Sequence, residues 1–165
     1  FIAVTVLVSP FSPWPGFAGR MRGLREITGE GHGTGLVLYA VSYSAFALLY
    51  GAKPYVVAAG VLPMAYGDSV AALVGTAYGR HRFRVYEYKS LEGCLGMFTG
   101  SLLSLLAGMA YFSRIYGFSL QAQMLPVLAV AAVATVAEAA SPRGLDNLTV
   151  PALGALTFIA VGGGF

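Results

Sequence analysis

The chain has 165 residues, of which 57% are hydrophobic and 10% charged, with ten Lys and Arg against seven Asp and Glu. A soluble domain averages about 45–50% apolar and about 25% charged residues, so this composition excludes an ordinary soluble fold, whose surface would carry an apolar excess that water opposes. The small positive balance is too weak for nucleic-acid binding, and the lone Cys94 excludes a disulfide framework or a cysteine metal site within one chain.

The first nine residues (FIAVTVLVS) are apolar but too few to cross a hydrocarbon core of about 30 Å. They read as the tail of a spanning helix whose start is missing, since a signal peptide would carry a basic n-region and a cleavage site. Pro10, Pro13, Pro15 and Gly16 end that helix. A polar connection with Arg20, Arg22, Arg25, Glu26, Glu30 and His32 follows, and residues 19–28 suit a short interfacial helix. Five spans are then predicted, at residues 34–52, 55–78, 91–112, 119–140 and 148–164. Between them lie a turn at Lys53-Pro54, a basic loop at 79–90, a turn at Arg114, and a polar connection at 141–147. The expected fold is therefore all-α: one integral membrane domain over residues 1–165, a multi-pass helix bundle of about five spans plus a partial N-terminal one.

Charge sets the orientation. Eight positive residues (Arg20, Arg22, Arg25, Arg80, Arg82, Arg84, Lys89 and Arg143) fall on one side, and only Lys53 and Arg114 on the other. Loops rich in Lys and Arg stay on the cytoplasmic side, which puts 79–90 and 141–147 there.

Four polar features gather at that side. Asp68 lies inside the second span beside Pro63 and Gly67, and a carboxylate there costs roughly 2.5–3.5 kcal/mol to insert, so it faces a polar interior. Three arginines, one histidine and one lysine lie between Arg80 and Lys89. That density suits phosphate, although basic loops also serve simply to fix topology. Ser90 is an N-cap candidate for the third span, with Lys89 and Glu92 beside a helix N-terminus able to meet an anion. Glu138 closes an otherwise Ala- and Val-rich span, and Asp146 and Asn147 offer the oxygen ligands a hard cation such as Mg²⁺ prefers. Acids for a metal, bases for phosphate and surrounding hydrocarbon together suit phosphoryl or nucleotidyl transfer to a lipid. The sequence has no GxxxxGK[ST], no HExxH and no G-x-S-x-G.

In order, Gly67-Asp68-Ser69-Val70-Ala71, Gly75, Gly79-Arg80-His81, Lys89-Ser90-Leu91-Glu92-Gly93, Met97-Phe98, Glu138 and Asp146-Asn147-Leu148-Thr149-Val150-Pro151 stand along the chain. This series resembles the core of the CTP-dependent polyprenol kinases, which include dolichol kinase and the phytol kinases, within the phosphatidate cytidylyltransferase-like superfamily. Arg25-Glu26-Ile27-Thr28-Gly29 is similar to a stretch of the phytol kinase branch.

The resemblance implies transfer of the γ-phosphate of CTP to a long-chain isoprenoid alcohol (phytol, polyprenol or dolichol) with a divalent metal such as Mg²⁺. It further implies Asp68, Lys89 and Glu92 as catalytic residues. Arg80, His81, Arg82, Lys89 and Ser90 would engage the nucleotide phosphates, and Asp68, Glu138, Asp146 and Asn147 the metal. Cys94 stands where the family usually has Ser, and the family's N-terminal helices are missing or precede Phe1. Two rival readings stay open. One is a cytidylyltransferase of the CDP-diacylglycerol synthase type, whose terminal Lys-Asp and Gly-His-Gly-Gly signature has no counterpart here. The other is a small membrane transporter subunit. Gly93, Gly96, Gly100, Ser104 and Gly108 suit close helix packing, within one chain or in a homo-oligomer.

Overall fold

A computed structural model describes residues 33–142 and 144–163. The apolar start at 1–9, the interfacial stretch at 19–28, the motif at 25–29, and Arg20, Arg22, Arg25, Glu26, Glu30, His32 and Arg143 lie outside the described residues.

The first helix, α1 (Gly33–Tyr50), ends at the Gly51-Ala52 turn. Pro54 opens α2 (Pro54–Leu62) at a position where a missing N–H leaves nothing unsatisfied. At Pro63 the ladder has no N–H to continue with, and the chain takes one wide π-turn, Pro63–Gly67. The Asp68 N–H closes that turn on the Pro63 carbonyl, and α3 (Asp68–Tyr78) resumes from there. Asp68 is thus held by a local break in an otherwise continuous helix of 25 residues, Pro54–Tyr78.

The basic loop folds into a feature that its sequence did not announce. Strands β1 (Arg82–Arg84) and β2 (Tyr88–Ser90) pair antiparallel, with Arg82 opposite Ser90 and Arg84 opposite Tyr88. The Leu91 N–H extends the pairing by donating to the His81 carbonyl at 3.0 Å. Runs of three residues are too short for an alternating pattern to register in sequence.

Helix α4 (Leu91–Tyr116) starts on Ser90, whose Oγ accepts the Gly93 N–H at 3.0 Å. It ends at Gly117, left-handed at φ 72°, whose N–H returns to the Ser113 carbonyl. A short 3₁₀ turn (Gln121–Gln123) leads into α5 (Met124–Ala140), and α6 (Asp146–Ala160) follows. Helix α6 stops before the predicted boundary because Gly162, at φ 81°, reverses the chain. The Gly162 and Gly163 N–H groups donate to Ile159 and Phe158 carbonyls.

The result is an all-α bundle with one small hairpin. Among the described residues, three helices are long and apolar enough to cross a membrane: Pro54–Tyr78, Leu91–Tyr116 and Gln121–Ala140. The other two predicted spans correspond to shorter helices, α1 and the 15-residue α6.

Packing follows residue size. Helix α3 lies along α4, and α5 contacts both α4 and α6. Gly96 and Gly100 of α4 sit against Val70, and a Cβ at Gly67 would lie 2.3 Å from Ser101 Oγ. Glycines therefore let these two backbones approach, so most of the small-residue ridge on α4 serves packing within the chain. Helices α2 and α6 cross equally closely, where a Cβ on Gly60 would lie 2.6 Å from the Pro151 carbonyl oxygen. Leu105, Met109, Val127, Val130 and Phe158 fill the core toward one end, capped by Tyr55 with Phe112, Tyr116 and Phe118. Met64, Met97, Ala134 and Val150 form a second cluster beneath the polar end.

Candidate active site

Up-and-down connectivity brings the end of α3, the start of α4, the end of α5 and the start of α6 to the hairpin end of the bundle. A cavity of about 360 Å³ opens there, walled by α3, the hairpin, α4 and α5. Its polar lining includes Asp68, Thr76, Arg82, Lys89, Ser90 and Glu138, while Gly75 and Gly93 keep the wall thin.

Lys89 and Glu138 form the centre of this site. The Lys89 Nζ donates to Glu138 Oε1, joining the hairpin to the last turn of α5. The Glu138 side chain is 5% exposed and that of Lys89 21%, so the pair is largely removed from water. Burial pulls the Lys89 pKa down, but the hydrogen bond to Glu138 and the charges of Glu138, Asp146 and Asp68 outweigh it. The net result holds the ammonium above the ordinary lysine value. A lysine that stays charged inside a pocket is a fixed point charge for an anion.

Arg82 also lines the cavity, from the strand position opposite Ser90. Arg80 and His81, predicted as phosphate ligands, do not line it. Their backbone N–H groups donate to the Glu92 carboxylate at 3.2–3.3 Å, and His81 Nδ1 lies 2.7 Å from Glu92 Oε1. Glu92, predicted as catalytic, is likewise absent from the wall, and its observed partners belong to the loop entering β1. The α4 N-terminus is partly spoken for as well. Its Leu91 and Gly93 N–H groups go to His81 and Ser90, which leaves less for an external anion than an uncapped helix end would offer.

Asp146 and Asn147, predicted as metal ligands, stand at the start of α6. Asp146 Oδ1 accepts both Asn147 nitrogens, at 2.9 and 3.3 Å, while the Asn147 carbonyl accepts Ser42 Oγ at 2.8 Å and ties α6 to α1. Asp146 acts on the site through its charge near Lys89 and does not line the cavity. Among the described residues, no three His, Cys, Asp or Glu side chains come together as a metal group.

Some lining residues escaped the sequence reading. Thr76 follows Asp68 by two helical turns, so the 3.6-residue period could have placed both on one face. Tyr88 could be found only from the hairpin register. Cys94 drew notice as the lone cysteine and for its departure from the family, yet it lines two cavities. The second is an apolar groove of about 440 Å³ between α4 and α5, lined by Leu91, Cys94, Leu95, Phe98, Ala132 and Thr135.

Fold and site together define a helical membrane protein with a charged pocket at one end of its bundle. The chain is 40% identical over 130 residues to a protein of Synechocystis sp. named phytol kinase, across 73% of this chain and 51% of that protein. The chain belongs to the polyprenol and phytol kinase family, the one its motifs resemble. It spans about half the length of that relative. No family model matches the sequence, and no solved structure matches it.

Proposed function

We propose that the protein is a membrane kinase that moves the γ-phosphoryl group of CTP to an isoprenoid alcohol, with phytol the first candidate. The observation that carries this reading is the pocket lined by Lys89, Glu138, Asp68 and Arg82, in a chain that is 40% identical over 130 residues to a phytol kinase.

In this reading the alcohol oxygen attacks the γ-phosphorus, one P–O bond forms, and the bond to the β-phosphate oxygen breaks, releasing CDP. Lys89 and Arg82 draw in and align the triphosphate by charge-assisted hydrogen bonds. Glu138 fixes the position of Lys89, and Asp68 takes the hydroxyl proton. Ser90 holds the hairpin to α4, and Glu92 holds Arg80 and His81 in the turn that presents Arg82.

A Mg²⁺ ion carried by nucleotide phosphates asks the protein for only one or two carboxylates. Asp68 and Glu138 both line the cavity and fit that demand. When bound, the ion would neutralise phosphate charge. The hairpin end faces the cytoplasm, in keeping with the basic residues it carries.

The deciding assay uses purified protein in lipid with Mg²⁺, CTP labelled at the γ or the α phosphorus, and phytol, a short polyprenol or phosphatidic acid. Label from the γ position in a prenyl phosphate is the expected result. Label from the α position in a lipid would replace the kinase with a cytidylyltransferase, and no transfer with no CTP binding would defeat both.

A further inference from the structure

We infer that the apolar groove between α4 and α5 holds the hydrocarbon chain of the alcohol and feeds its hydroxyl end into the charged pocket. This rests on the kinase reading and adds where the chain lies.

The two cavities meet at a shared lining residue. Cys94 stands in the wall of both, and Leu91 of the groove directly follows Ser90 of the pocket. On α5, Thr135 of the groove lies one turn before Glu138 of the pocket, and residues three apart share a helix face. The path of a chain laid in the groove would run from Phe98, Leu95 and Ala132 past Cys94 and Thr135 toward the Lys89–Glu138 pair.

Its chemistry changes along that path as an amphiphile requires. Hydrocarbon side chains line the outer part, one thiol and one hydroxyl the junction, and charges the inner end. Leu95 is 65% exposed, so the groove opens toward the bilayer side of the bundle and a chain can enter from the lipid. An ordinary bilayer lipid is the competing occupant. Its anionic phosphodiester head can also meet Lys89 and Arg82, so the competition with phosphatidylcholine described below separates the two occupants.

Each methylene withdrawn from an apolar site weakens binding by about fourfold, so narrowing the groove discriminates against long chains. The test compares kcat/KM for a C20 and a C10 prenyl alcohol in lipid nanodiscs, for the wild type, Ala132→Phe, Leu95→Ala and, as a control on the lipid-facing side of α4, Leu103→Phe. The ratio of long to short alcohol falls by about tenfold or more in Ala132→Phe, falls less in Leu95→Ala, and stays unchanged in the control. An unchanged ratio in active Ala132→Phe overturns the groove and leaves the kinase reading standing.

A second readout does not depend on turnover. A diazirine-bearing C20 alcohol should label peptides containing residues 91–98 and 132–135, and excess unlabelled alcohol should suppress that labelling. Label spread over other helices, or suppressed equally by phosphatidylcholine, overturns the assignment. If the wild type phosphorylates no prenyl alcohol, the kinase reading fails, and this labelling alone decides whether the groove is an isoprenoid site.

Discussion

Lys89 and Glu138, 49 positions apart in the chain, are hydrogen-bonded partners in the wall of the charged cavity. One comes from the hairpin and the other from the last turn of α5, so the contact exists only when the hairpin is seated on the bundle. The pair thereby couples loop position to site assembly.

Removing one partner leaves a buried charge behind, which costs about 3–5 kcal/mol in comparable pairs. Lys89→Met and Glu138→Leu should each lower thermal stability in detergent and abolish transfer. The double variant Lys89→Met/Glu138→Leu should regain most of the stability and none of the activity. A double-mutant cycle with additive losses would show that the two side chains are not coupled.

The direction of the Lys89 shift fixes a pH window. Its pKa is held above the ordinary 10.5, so the folded protein binds this proton more tightly than the unfolded chain. Stability from the pair is complete below the unfolded value and is lost as pH rises through the higher folded one. The stability gap between wild type and Lys89→Met should stay level from roughly pH 7 to 10 and narrow only above that. A gap that closes near neutrality would contradict the pairing.

Glu92 accepts the Arg80 and His81 N–H groups and contacts the His81 ring, outside the cavity wall. Glu92→Ala should speed amide exchange at residues 80–84 and raise KM for the nucleotide by about tenfold, with a smaller change in kcat. Glu92→Gln keeps an acceptor oxygen and should recover part of the loss. A pure kcat defect with unchanged exchange would instead make Glu92 a catalytic group.

Close helix crossings predict where a single methyl is damaging. At Gly60 the added Cβ would meet the Pro151 backbone, which cannot rotate away. Gly60→Ala should destabilise by about 1–3 kcal/mol through overpacking. At Gly117 nothing lies within 4 Å and only the positive φ resists substitution, so Gly117→Ala should cost roughly 1 kcal/mol. Thermal melts of the two variants give the comparison, and equal losses would argue against the α2–α6 crossing.

Orientation can be read with one cysteine. In a Cys94→Ser background, Tyr86→Cys at the exposed hairpin tip should react with a membrane-impermeant maleimide added from the cytoplasmic side. Labelling only from the opposite side would invert the topology.

The sequence by itself determined the membrane class, because apolar content and span length depend on composition and need no contacts. It also determined several helix limits, since Pro54 and Ser90 are local signals acting on their own backbone, whereas α4 runs through the turn predicted at Arg114 and stops only at Gly117. The convergence of Asp68, Lys89 and Glu138 at the basic end was legible too, because alternating spans return every second connection to one side. What tertiary structure alone decided was the division of labour. Glu92 and Lys89 look equivalent as charged residues near a helix start, yet hairpin register sends one to the loop and the other to the cavity. Asp146 and Asn147 offer suitable metal-ligand chemistry, but their observed bonds fasten the start of α6. The α4–α5 groove was invisible in sequence because its six lining residues read as ordinary membrane helix. Residue type sets what a side chain can do, whereas packing and hydrogen-bond partners set which of those things it does.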